Sequence, residues 1–197
     1  MLPSNSSSLQ VAVLLAVLFA PPVCFAANSV VNFSFVDTAG QLHTRAEWSG
    51  KRAVVLFFLA TDCPLSNGYV PELNRIHGIY APRGVEFYAV QGDATVKDEE
   101  VRKHVEEFGY SFPYLFDPNE TLAALTGATI TPQAAVVSSD GELLYLGRID
   151  NKLEDWGKQR VQVTEFDLRD ALEAILAGNR VPHARTKALG CAITRKD

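Results

Sequence analysis

Residues 53–59, AVVLFFL, form an uninterrupted apolar run rich in β-branched and aromatic side chains, set between Lys51-Arg52 and Thr61-Asp62. A strand with no polar residue on either face needs cover on both, so this run predicts the middle of a sheet held between two layers. The residues that follow supply one layer. Leu65, Tyr69, Val70, Leu73, Ile76 and Tyr80 recur at close to helical spacing from Pro64 to Tyr80. Pro64 suits the first helical turn, where its missing N–H is not needed. Pro71, inside the helix, is expected to kink it.

The remainder alternates in the same manner. Residues 31–35 read as a short edge strand, 37–50 as a hairpin or loop, and 85–91, VEFYAVQ, as a second central strand. A charged amphipathic helix is expected over 96–108, a short strand over 114–116, and a short helix over 120–126 that stops at Gly127. Strands over 134–138 and 143–147 flank the turn Ser139-Asp140-Gly141-Glu142. A closing helix over 166–177 ends at Gly178. This order predicts an α/β fold, a central mixed β-sheet flanked by helices on both faces. With 197 residues, 47% of them hydrophobic, the chain can bury one core, assigned here to residues 27–179. Residues 180–197 read as a tail of little periodicity that contains Cys191.

Residues 1–26 stand apart. The apolar run 11–20, VAVLLAVLFA, is followed by Cys24-Phe25-Ala26-Ala27, the layout of a secretory signal peptide cut near Ala26. The run is shorter than the span of about 20 residues that crosses a bilayer. Periplasmic or secreted localisation is therefore expected, with membrane attachment only if the segment is retained. Removing it takes Cys24 and leaves Cys63 and Cys191 from the three cysteines, in an oxidising compartment. The formal net charge of -5 and the scattered Lys and Arg residues argue against nucleic-acid binding. His43, His77, His104 and His183 show no metal-ligand spacing and read as ordinary surface or half-buried residues. Neither a metal nor another cofactor is called for.

The segment Phe57-Phe58-Leu59-Ala60-Thr61-Asp62-Cys63-Pro64-Leu65-Ser66 resembles the strand-to-helix active-site turn of thioredoxin-like proteins. Pro71 and its continuation Glu72-Leu73-Asn74-Arg75-Ile76 extend the likeness, and Thr131-Pro132 resembles the family's cis-proline loop. Within that superfamily the chain is similar to the redoxin branch, the alkyl hydroperoxide reductase and thiol-specific antioxidant type. Gly147-Arg148-Ile149-Asp150-Asn151 and Gly190-Cys191-Ala192-Ile193 are similar to exported members of a peroxiredoxin-like subgroup. The resemblance implies a thioredoxin-like fold with Cys63 as redox nucleophile and Thr131 and Pro132 beside it as substrate-binding residues.

Physical reasoning supports Cys63 independently. A cysteine just before a helix faces unpaired N–H groups and the positive end of the helix dipole, which favour the thiolate. Two departures limit the reading. Ser66 stands where a dithiol thioredoxin carries its second cysteine, and Asp62 places a carboxylate next to the thiol. Thr61 is displaced by one step from the position of the peroxiredoxin threonine, which here is Ala60. Arg148 is the candidate for stabilising the thiolate and polarising a peroxide; alternatively it pairs with Asp150 or Glu154 on the surface. Cys191 has three readings: a resolving cysteine for Cys63, a structural disulfide partner, or a cross-link to another subunit. The leading expectation is a peroxiredoxin-like thiol oxidoreductase that takes a hydroperoxide and an external thiol reductant. Two alternatives stand beside it, a thiol-disulfide exchange protein acting on protein disulfides and a non-enzymatic thioredoxin-fold binding module.

Overall fold

The computed structural model describes residues 30, 32–93 and 95–193, so the leader over residues 1–26, with Cys24, lies outside the described residues. The chain runs through β1 (Ser34–Val36), β2 (Leu42–Thr44), β3 (Ala53–Leu59), α1 (Pro64–Tyr80), β4 (Val85–Gln91), α2 (Asp98–Phe108) and β5 (Tyr114–Leu115). It continues through α3 (Thr121–Thr126), β6 (Ile130–Thr131), β7 (Gln133–Val137), β8 (Leu143–Gly147), β9 (Leu153–Asp155), β10 (Lys158–Gln159), α4 (Asp167–Leu176) and β11 (Cys191–Ala192).

The apolar run is the centre of the sheet, as its composition requires. All seven residues of β3 are buried, and the five-stranded order is β5-β4-β3-β7-β8. β4 runs parallel to β3, β5 parallel to β4, and β7 and β8 return antiparallel, so the sheet is mixed. Alternation along β3 divides the core between its faces. Val55, Phe57 and Leu59 pack with Tyr69, Leu73 and Ile76 of α1, Val101 of α2 and Leu168 and Leu172 of α4. Val54, Leu56 and Phe58 pack with Phe33, Trp48, Tyr88 and Leu122 of α3. Pro71 does not end α1, which is one helix from Pro64 to Tyr80.

The histidines depart from the sequence reading. His43 is only 4% exposed and is bonded at Nε2 to Asp37 (3.0 Å) and at Nδ1 to Glu47 (2.9 Å). Tyr88 donates to the same Glu47 carboxylate at 2.7 Å. This network pins the β1–β2 hairpin to β4. Burial opposes the charge on His43, but the hydrogen bonds and charges of Asp37 and Glu47 outweigh it and hold the imidazole pKa above its ordinary value. His104 is buried as well, beside Tyr110.

The N-terminal part is fastened far from the site. The Val30 N–H donates to the Gly141 carbonyl at 2.8 Å, in the turn between β7 and β8. Gly141 has φ +84°, and a Cβ there would come within 2.5 Å of the Val30 carbonyl oxygen, so both the turn and the close approach demand glycine.

Candidate active site

Cys63 is placed by the junction of β3 and α1. Its N–H donates to the Ala60 carbonyl at 3.2 Å, and its own carbonyl accepts the Asn67 N–H at 3.1 Å. With φ -88° and ψ 107° it is the extended residue that opens α1, at the end where first-turn N–H groups lack helical partners. Pro64 follows as the first helical residue, matching the expectation from sequence. Asn67 donates from its side-chain amide to the Thr61 carbonyl at 3.0 Å and ties the turn down. Thr61 thus contributes a backbone oxygen to the turn.

Ser66 lies beneath the turn, fully buried, and its hydroxyl accepts the Ala60 N–H at 3.4 Å. Its role is to hold the loop that carries the cysteine. Asp62 is exposed, so water screens its carboxylate from the neighbouring sulfur.

Cys63 is joined to Cys191 by a disulfide, with the two Cα atoms 6.3 Å apart and the two positions separated by 128 in sequence. The cysteine pair that the sequence left open is therefore formed within one chain. The peptide bond Thr131-Pro132 is cis, as the resemblance implied. Thr131 is fully buried, and the Cys63 sulfur lies 3.4 Å from its carbonyl oxygen. Behind it, a Cβ on Gly92 would come within 2.7 Å of the Thr131 methyl group, so glycine is what lets β6 sit this close to β4.

The tail is more ordered than its composition suggested. Residues 184–186 run beside β8: the Leu146 N–H donates to the Ala184 carbonyl (3.0 Å) and the Thr186 N–H to the Leu146 carbonyl (3.2 Å). The chain then crosses to the cis-proline loop, where β11 pairs antiparallel with β6, Cys191 opposite Thr131 and Ala192 opposite Ile130. The Ile193 N–H donates to the Thr129 carbonyl at 2.9 Å and extends the ladder. Gly92 is the participant that sequence reasoning missed, and Gly190 and Ile193, quoted there with Cys191, were given no role. A glycine beside the second cysteine and an aliphatic residue two positions after it were the available signals.

Arg148 is committed elsewhere than expected. Its Nε donates to Asp167 at 2.7 Å, and its Nη2 is bonded to Glu165 and to Asp167. Neither Asp150 nor Glu154 is its partner; Asp167 and Glu165 take its Nε and Nη2 donors. Asp150 instead accepts a 2.6 Å hydrogen bond from the Tyr69 hydroxyl and the Lys152 N–H at 2.9 Å. Burial and the Asp150 carboxylate together push the Tyr69 hydroxyl pKa up. Asn151 accepts the N–H groups of Thr164 and Glu165. The segment 147–151 is thus a clamp between β8, α1 and the approach to α4.

The Redoxin family model matches residues 25–160, more than half of the chain. The thiol-disulfide oxidoreductase ResA of Halalkalibacterium halodurans is 28% identical over 141 residues, which cover 72% of this chain and 74% of that protein. The crystal structure of SMc02350 from Sinorhizobium meliloti 1021 superposes with a TM-score of 0.75 at 30% identity, over 86% of this chain and 94% of the other. A Chlorobium tepidum protein described as a thiol:disulfide interchange protein DsbE shares the fold, with a TM-score of 0.58 at 20% identity over 76% of this chain and 96% of its own.

Proposed function

The chain belongs to the redoxin family of the thioredoxin-like superfamily, and from that membership we propose that it is a thiol-disulfide exchange protein in which Cys63 and Cys191 form the redox couple. The observation that carries the reading is the disulfide between Cys63, at the opening of α1, and a tail cysteine strand-paired beside the cis-proline. In the dithiol form, the Cys63 thiolate attacks a partner's disulfide. A bond forms between Cys63 and one partner sulfur, and the other leaves as a thiolate that takes up a proton. The Cys191 thiolate then attacks the Cys63 sulfur, displaces the partner as a dithiol and closes the disulfide seen here. An external dithiol restores the starting state. Ser66 cannot take the second role, because its oxygen forms no disulfide and is engaged with the Ala60 N–H.

This reading replaces hydroperoxide reduction as the main one. ResA is named for exchange, and Arg148, the residue suited to a peroxide, is paired with Asp167 and Glu165. The apolar run at residues 11–20 supports action outside the cytoplasm, after loss of residues 1–26. Mass spectrometry of the protein recovered from cells reads that cleavage directly.

Turnover of a protein disulfide such as insulin, with dithiothreitol as reductant, tests the reaction. The wild type is expected to turn over, Cys63→Ser to be inactive, and Cys191→Ser to accumulate a mixed disulfide at Cys63. Peroxide consumption with a dimedone-labelled Cys63 and no disulfide turnover would establish the peroxidase reading instead. No turnover of either substrate by the wild type, with a cellular phenotype that Cys63→Ser leaves unchanged, would leave a binding module.

A further inference from the structure

We propose that residues 190–193 occupy the seat of a redox partner's cysteine strand, and that partners engaging Cys63 present an extended segment with glycine immediately before the reactive cysteine and an aliphatic residue two positions after it. The inference deepens the exchange reading and rests on it. A mixed disulfide with Cys63 puts a foreign cysteine where Cys191 now sits, bonded to the same sulfur and facing the same Thr131 edge. Among the described residues, β6 has β11 as its sole ladder partner. The edge is therefore a strand-addition site, filled here by the chain's own tail.

The occupant reveals what the seat accepts. A Cβ on Gly190 would lie 2.1 Å from the Thr131 carbonyl oxygen, 2.7 Å from its carbonyl carbon and 2.8 Å from the Ile130 Cγ2. The obstruction is mostly backbone, fixed between β6 and β7, and cannot swing aside as a side chain would. Gly190 is not in the left-handed region, so the requirement is one of space. Ile193 is 8% exposed and joins the apolar cluster of Phe33, Phe58 and Val90. A charged residue there would lose its water without gaining a partner. Ala192 is exposed, so the position directly after the cysteine is not read.

Partner and tail therefore compete for one edge. When the Cys191 thiolate attacks the Cys63 sulfur, it breaks the bond to the partner cysteine, which leaves as a thiolate, and β11 takes the backbone pairing that the partner had used. Release of the product and closing of the tail become one event.

The test uses the full chain carrying Cys191→Ser, reduced, and six-residue peptides whose cysteine is capped by thionitrobenzoate, so that attack by Cys63 releases a coloured thiolate. The peptides are Leu-Gly-Cys-Ala-Ile-Thr and two altered forms, one with alanine for glycine and one with aspartate for isoleucine. The small dithiobis(nitrobenzoate) disulfide serves as the sequence-free probe. The expected result is a second-order rate at least fivefold higher for the unaltered peptide than for either altered one. A smaller ratio, with the small probe still reacting, overturns the seat and leaves the exchange reading standing. Failure of every disulfide, the small probe included, overturns both.

Discussion

Reducing the Cys63–Cys191 bond removes a covalent tie between positions 128 residues apart. Closing a loop of that length restricts the unfolded chain by about 5 kcal/mol at 25 °C on the chain-entropy account. Part of that is offset in the folded state, because a released tail regains backbone freedom over the few residues around β11. The expected net loss of stability on reduction is about 3–5 kcal/mol. With a urea slope of about 2 kcal/mol per molar, the midpoint falls by about 1.5–2.5 M. Urea unfolding followed by far-ultraviolet circular dichroism, with and without a phosphine reductant, reads this directly. The double variant Cys63→Ser, Cys191→Ser is expected to unfold where the reduced wild type does, and to ignore the reductant. Midpoints of oxidised and reduced wild type within about 0.3 M of each other would refute the reasoning, since no tie of this span can then constrain the unfolded chain.

Other perturbations test the scaffold around the sulfur. Phe57→Ala leaves a void in the middle of β3 against Phe87 and Phe112 and is expected to cost about 3–5 kcal/mol in thermal or urea unfolding. Arg148→Gln deprives Asp167 of its guanidinium partner, and a stability loss of about 1–3 kcal/mol is expected. The same variant is expected to keep disulfide turnover within about twofold of wild type, since two carboxylates already engage the arginine; a larger loss would return Arg148 to the chemistry at the sulfur. The His43 network predicts a pH dependence. A histidine whose pKa is raised on folding contributes stability that is complete below its unfolded value of 6.5 and fades as pH rises through the higher folded value. The urea midpoint of wild type is thus expected to fall relative to His43→Gln as pH is raised from about 6 to about 8.5. His77 and His104, whose pKa values burial lowers, act in the opposite sense at lower pH and are common to both proteins. A difference between the two proteins that is constant with pH would sink this account.

The parts legible in the sequence were those with long, one-sided or two-sided apolar patterning. β3, α1, β4 and β8 start and stop where the apolar spacing and the flanking charges, Pro64 and Gly141 set them. β6 and β11, of two residues each, carry no period at all; what joins them is a tertiary pairing beside the Cys63–Cys191 bond. The Cys63 turn was readable because strand, cysteine and N-terminal proline are adjacent in the chain. Its partnership with Cys191 was not, because the strand pairing that joins them depends on tertiary placement 128 residues away. Arg148 illustrates the same limit. Nearby Asp150 and Glu154 were the natural partners on paper, but Tyr69 takes Asp150, and the turn before α4 delivers Glu165 and Asp167. His43 was misjudged because a lone histidine gives no hint that a hairpin will fold Asp37 and Glu47 onto its two nitrogens.

The fastening of Val30 to Gly141 has a bearing on how the molecule is presented to others. Gly141 lies in the turn at the pole where β3 begins, whereas Cys63 follows the pole where it ends. A strand of seven residues separates those poles by about 23 Å. Val30 is therefore held at the pole of the sheet opposite the end from which Cys63 follows.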